Sequence, residues 1–203
     1  MSTAIRLRAR ADNFSLQLTG SLEAKFVAYF DLLFRWNARI NLTSLTDPDA
    51  AIDRLLLEPL AAARELERRP ELMDLGSGGG SPAIPLALAL NARRLVMVES
   101  KLRKVAFLRE AARVVELAAV VENERFEELS EHGKHNGQMS VVSVRAVRMD
   151  RAAFTTAKRF LKPAGRIALF APTAASPAEL PADLRVVNVS ALVNGAHLVV
   201  LGR

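Results

Sequence analysis

Three glycines at alternate positions, Gly76, Gly78 and Gly80, stand in the segment Asp74-Leu75-Gly76-Ser77-Gly78-Gly79-Gly80-Ser81-Pro82. A short apolar run that reads as a strand precedes them, and a helical stretch opening at Pro82 follows. Glycine accepts the tight turn such a junction needs and lets backbone come close to a ligand. The helix behind the turn offers free N–H groups. Glu99 ends the next apolar run, 23 residues past Gly76. An acid about 20 residues on is where a nucleotide-binding βαβ unit grips ribose hydroxyls. The pattern predicts a ribose-bearing cofactor held by the glycine turn and Glu99. A dinucleotide is one candidate, but its G-x-G-x-x-G turn would put a third glycine where Ser81 stands. The spacing present is D-x-G-x-G-x-G.

Other chemistry is sparse. The absence of cysteine excludes disulfides, thiolate metal sites, iron–sulfur ligation and thiol catalysis. His132 and His135 lie three apart with no further ligand cluster, so a solvated loop and no metal are expected. His197 is expected to pair within the last strand. Lys and Arg total 28 against 22 acids, giving a net charge of +6 and a pI near 10.3. That balance favours an acidic partner such as nucleic acid. Two sets of cations could meet RNA phosphates: Arg6, Arg8 and Arg10, and Lys101, Arg103, Lys104, Arg109 and Arg113. The first set is the expected contact; the second also reads as a solvated helix face. The longest apolar stretch, Ala83–Leu90, falls short of the ~20 residues a bilayer requires. Met1–Arg10 lacks the apolar core of a secretory signal. A cytoplasmic monomer without a membrane partner is expected.

The elements that place the glycine turn follow from periodicity. The first ~20 residues are weakly periodic and are expected to fray. A helix is predicted over Ser21–Asn37, capped by Ser21, with Leu22, Phe26, Phe30 and Leu33 on one side and Tyr29, Phe34 and Trp36 widening it. Asp47-Pro48 opens a second helix with Ile52, Leu55, Leu56 and Leu60 inward, and Pro59 should kink or shorten it. Predicted strands are Leu72–Leu75, Leu95–Glu99, Ala118–Glu122, Met139–Val144 and Gly165–Ala171. Between them lie helices Pro82–Leu90, Leu102–Glu116, Arg125–Glu131 and Asp150–Leu161. Pro172–Pro181 reads as a connector. Leu184–Ser190 and His197–Gly202 flank the turn signal Asn194-Gly195 and should pair antiparallel. The sum is an α/β fold: a doubly wound, seven-stranded, mostly parallel sheet with a C-terminal antiparallel hairpin, preceded by a helical N-terminal segment. The expected division is 1–68 and 69–203.

The D-x-G-x-G-x-G spacing resembles motif I of the class I S-adenosylmethionine-dependent methyltransferases. Further residues resemble one family, the ribosomal RNA small subunit methyltransferase G or glucose-inhibited division protein B family. They are Trp36-Asn37, Asn41-Leu42-Thr43, Asp47-Pro48, Ser81-Pro82-Ala83-Ile84-Pro85, Arg103-Lys104-Val105-Ala106-Phe107-Leu108, Arg125-Phe126-Glu127-Glu128 and Arg145-Ala146. The likeness runs from about residue 25 to 170 with the motifs in order.

The resemblance implies methylation of a guanine at N7 in small-subunit (16S) ribosomal RNA, free or in an assembling 30S subunit, with S-adenosyl-L-methionine as donor. On the matching positions it implies that Asp74, Gly76, Gly78, Gly80 and Ser81 form the donor's loop and its methionine side. Glu99 would hold the ribose, and Phe126 and Glu127 would flank the adenine. Arg145 would sit at the cofactor and the target base as the catalytic residue. Some positions depart from the family pattern. Ser81 replaces a bulky apolar residue and Ala83 a glycine. Leu55, Glu58 and Pro59 stand at a usual His-x-x-Asp-Ser, and Phe170-Ala171 at a usual Lys-Gly. These departures motivate a rival reading, a non-catalytic RNA-binding or assembly protein. A nicotinamide-dependent oxidoreductase and a small-molecule methyltransferase are further alternatives.

Overall fold

The computed structural model describes residues 1–68, 70–174, 177 and 180–203. Alternation along the first strand sets the architecture. In Glu71–Leu75 (β1), Leu72 turns to one core and Met73 and Leu75 to the other, all fully buried. A strand apolar on both faces must be covered on both. Arg94–Val98 (β2), Ala119–Glu122 (β3), Met139–Arg145 (β4) and Leu161–Ala171 (β5) pair in parallel through β1. Arg185–Ala191 (β6) and His197–Gly202 (β7) are antiparallel, and the order is β3-β2-β1-β4-β5-β7-β6. This is the predicted doubly wound sheet with its terminal hairpin. Direction reverses at β1, between β2 and β4, where an open α/β sheet leaves a crevice beyond its carboxyl ends. The glycine turn follows β1 and Arg145 ends β4, so both stand at that point.

Helices Ala83–Leu90 (α5) and Leu102–Val114 (α6) share one core with the N-terminal region, while Phe126–Glu131 (α7) and Arg151–Phe160 (α8) cover the other face. The N-terminal region corrects two expectations. The first residues do not fray: Thr3–Asn13 (α1) is a helix capped by Ser2, with Leu7 and Ala11 buried. Its arginines turn onto the chain's own acids. Arg6 pairs with Asp49 at 2.8 Å, Arg8 with Glu23 at 2.8 Å, and Arg10 with buried Asp53. They are therefore not the free set expected to meet RNA. Gly20–Asn37 (α2) starts one residue early, and the cap is Thr19, whose hydroxyl accepts from Leu22 N.

Asp47 caps Pro48–Ile52 (α3) as predicted, its carboxylate accepting from Ala50 N at 2.7 Å. Pro59 does not end the helix. A π-turn at Asp53–Leu57 widens it before Glu58–Ala62 (α4). Proline has no N–H for the carbonyls one turn back, and its ring crowds them. The wider turn relieves the crowding and leaves those carbonyls free, a device common at functional sites. His135, expected on a solvated loop, is buried between Glu122 and Arg94, at 2.8 Å from each. Of the expected connector, Ala175, Ser176, Ala178 and Glu179 lie outside the described residues. Among the described residues no helix is long and apolar enough to cross a membrane, and no cluster of three His, Asp or Glu could hold a metal.

Candidate cofactor crevice

The glycine loop is pinned on all sides but one. Gly76 N and Ser77 N both donate to Val98 O, at 2.9 and 3.0 Å, carrying β1–β2 pairing past the strand. Tyr29 Oη, fully buried on α2, donates to Gly79 O at 2.5 Å. Gly76, Gly78 and Gly80 all hold positive φ, at +71°, +52° and +84°, the left-handed region that favours glycine. A Cβ at Gly76 would lie 2.6 Å from Val147, and one at Gly80 2.9 Å from Ile84. Those two glycines are required by packing. Gly78 differs: its nearest neighbours would be Gly76 O at 3.8 Å and Lys104 Nζ at 3.9 Å. A Cβ there would meet only ordinary van der Waals contact, so of these three glycines Gly78 is the least crowded.

Glu99 stands at that glycine. One carboxylate oxygen accepts from Gly78 N at 2.9 Å and the other from Lys101 N at 2.9 Å. A carboxylate has about four acceptor positions, so two remain after these bonds. Asn123 Nδ2 donates to Glu99 O and Ser100 O, both at 3.1 Å, tying the end of β2 to the loop after β3. Phe126, buried, opens α7 beyond that loop. Glu127 follows it, and its Oε2 is buried without a hydrogen-bond partner, 3.6 Å from Arg125 Nε.

Asp74 and Arg145 lie deeper. The Asp74 carboxylate is 1% exposed and accepts from Ser143 Oγ at 2.6 Å. Burial raises its pKa to about 6, opposed by the Ser143 hydrogen bond. It braces the loop from beneath, since Ser77 Oγ donates to its main-chain oxygen at 3.1 Å. Ser143 and Arg145 share a strand face with a period of two, so Arg145 emerges one step nearer the loop. Its side chain is only 7% exposed. Nη1 donates to Arg54 O at 2.8 Å and to Ser81 Oγ at 3.2 Å. Nη2 lies 3.1 Å from the buried Glu58 carboxylate, and the guanidinium stacks 4.6 Å over Phe170, its cross-strand partner. Burial lowers its pKa to about 10, with Glu58 opposing. Burial in turn pushes the Glu58 carboxyl above its ordinary range, against the pull of Arg145. Ser81 Oγ donates to Leu55 O at 2.8 Å. Arg54 O and Leu55 O are the carbonyls that Pro59 cannot serve. Glu58, Ser81 and Phe170, three of the positions noted as departing from the family pattern, thus surround one guanidinium, with Leu55 reached through Ser81. Arg145 Nε and Nη2 remain buried without an aligned acceptor.

Tyr29, Lys104, Asn123 and Glu58 carry parts that the sequence reading did not assign. Tyr29 reads as one more core aromatic and Lys104 as one more cation on a basic helix. Only the fold reveals the carbonyl and the glycine they meet.

The chain matches the family model described as GidB, rRNA small subunit methyltransferase G, over residues 22–192. It is 38% identical over 169 residues to the ribosomal RNA small subunit methyltransferase G of Chloroflexus aggregans, covering 82% of this chain and 70% of that one. It is 34% identical over 195 residues to the protein of the same name from Stenotrophomonas maltophilia, covering 91% and 89%. Among solved structures it resembles TrmN from Thermus thermophilus, with a TM-score of 0.60 at 17% identity over 87% of this chain and 53% of that one. The last likeness is one of fold.

Proposed function

We propose the reaction from one premise: this chain belongs to the rRNA small subunit methyltransferase G (GidB) family. It is an S-adenosylmethionine-dependent rRNA methyltransferase, and the proposed acceptor is N7 of a guanine in small-subunit ribosomal RNA. A cytoplasmic monomer acting on free RNA or on an assembling subunit is the accompanying reading.

The observation that carries it is the Gly78–Glu99 pair. An open left-handed glycine and an acid with spare acceptors, joined at 2.9 Å, make a cradle for a ribose. Two further features fit the donor. The orphaned Glu127 oxygen can accept from an exocyclic amine beside Phe126. Lys104 Nζ, over Gly78, can meet a carboxylate. The donor when bound supplies a sulfonium-activated methyl group. Guanine N7 carries an in-plane lone pair and needs no proton removed, so the protein's work is alignment and exclusion of water. Glu99 and the loop N–H groups fix the nucleoside end. Ser81 has both hydroxyl contacts committed to Leu55 and Arg145, so it lines the crevice with backbone. Arg145 serves as the catalytic wall at the acceptor end, holding the loop's exit and the π-turn as one unit. Its Nη2 is held by Glu58 at 3.1 Å, and Nε is the guanidinium donor with neither a hydrogen bond nor an ion pair.

The test is transfer of labelled methyl to small-subunit RNA taken from cells lacking this protein, followed by nucleotide mapping. N7-methylguanosine at one position is expected. Label in no RNA, or at another atom, contradicts the reading.

A further inference from the structure

We propose that the RNA substrate docks in the groove between the C-terminal end of α2 and the first turns of α6. Trp36 would stack an unpaired base there, and Arg35, Arg39 and Arg103 would take the adjoining phosphates. This rests on the rRNA reading and deepens it. The groove encloses about 720 Å³ and is lined by Arg35, Trp36, Arg39, Ile40, Arg103 and Glu110 among others.

Charge supports it first. The three arginines are exposed, and none forms an ion pair among the described residues. Arg35 lies in the last turn of α2 and Arg39 just beyond its C-cap, with no acid between them in the chain. Glu110 is the one carboxylate among the groove residues, and it pairs with none of them. The α1 arginines, by contrast, are each matched to an acid. Cations left uncompensated around a cleft fit a polyanion.

Aromatic geometry supports it second. Trp36 is half-buried, with one edge braced on Phe107 at 5.8 Å and 63°. A braced indole among guanidiniums is the platform by which single-stranded RNA is held.

Position supports it third. Lys104, next to Arg103, reaches over Gly78, and Leu42, two residues past Ile40, lies with its carbonyl 3.1 Å from a Cβ at Gly79. Residues adjacent in sequence to the groove lining thus stand at the glycine loop, and in this proposal a strand held in the groove would present its next base toward the crevice.

Trp36 is the only tryptophan in the chain, so intrinsic emission reads this groove alone. We would titrate the full chain with a single-stranded guanine-containing RNA oligonucleotide and with protein-free small-subunit RNA. A saturable quench that weakens with salt is expected. The double variant R39Q/R103Q should bind about tenfold more weakly at low salt, with the salt slope reduced by about 2. R6Q/R8Q should bind like the parent. Inorganic polyphosphate should compete without quenching. Unchanged Trp36 emission when filter binding shows the RNA bound would overturn the proposal. So would parental affinity and slope in R39Q/R103Q, or a polyphosphate quench equal to that of RNA. Calorimetry with S-adenosylhomocysteine on the same samples separates the two readings. Failure of the parent to bind it strikes the methyl-donor site, whereas the fluorescence arms judge the groove by themselves.

Discussion

The glycine loop and the Arg145 cluster meet at Ser81 but are built on opposite plans. The loop is backbone. Its three positive-φ glycines are held by Val98 O, Tyr29 and Glu99, with one open side at Gly78. The cluster is side chain packed on side chain: Glu58, Ser81, Phe170 and the π-turn carbonyls close on a guanidinium with 7% exposure. A site made of backbone torsions tolerates little change, because each glycine answers a steric demand. One made of side chains can be rebuilt if its members change together.

The largest expected effect is at the loop. Gly78→Asp places a carboxylate beside Glu99 in the open approach, and binding of S-adenosylmethionine should fall by more than about 100-fold. Calorimetry reads this, with circular dichroism confirming the fold. Unchanged affinity would mean that the loop and the donor site are different places.

The second break is at the cluster. Glu58→Ala strips the carboxylate from a buried guanidinium and should cost about 3 kcal/mol in denaturant unfolding. The double variant Glu58→Leu, Arg145→Met removes both charges and should cost clearly less. Equal losses in the two would show that the pair is not coupled.

Asp74 sharpens the boundary between the regions. Its pKa is raised to about 6, so the protonated form favours the folded state. That contribution is full below about pH 4 and is lost as pH rises through about 6, on the order of 2–3 kcal/mol. Asp74→Asn should flatten the stability curve over that window. A persisting fall in stability would assign it to another group. The smallest effect is Tyr29→Phe, which deletes the hydrogen bond to Gly79 O. About 1 kcal/mol of stability should go, with a modest loss of donor affinity. A variant as stable as the parent would show that the hydroxyl does not brace the loop.

What could be read from the chain divides along the same line. The strands, the glycine turn and Glu99 follow from local demands: apolar alternation, a positive φ, an acid at a set spacing. The hairpin around Asn194 is equally local, since that residue holds φ +54°. What could not be read is distance. Arg145 meets Glu58 and Arg54 only because β4 lies beside β1 and the π-turn packs across them. The thin apolar pattern of the first residues predicts fraying, yet α1 is an ordered helix. Its order comes from the Ser2 cap and from burial of Leu7 and Ala11, with Arg6, Arg8 and Arg10 meeting Asp49, Glu23 and Asp53 elsewhere in the chain. Pro59 signalled a disrupted helix but not a π-turn, which depends on Ser81 and Arg145 taking the carbonyls it leaves free.

The most direct measurement is a calorimetric titration of the unmodified chain with S-adenosylhomocysteine, repeated with NADH and with Glu99→Ala. The account predicts one-to-one binding of the nucleoside, none of NADH, and a loss of at least about tenfold when Glu99 is removed. Binding of NADH, or nucleoside affinity indifferent to Glu99, would contradict it.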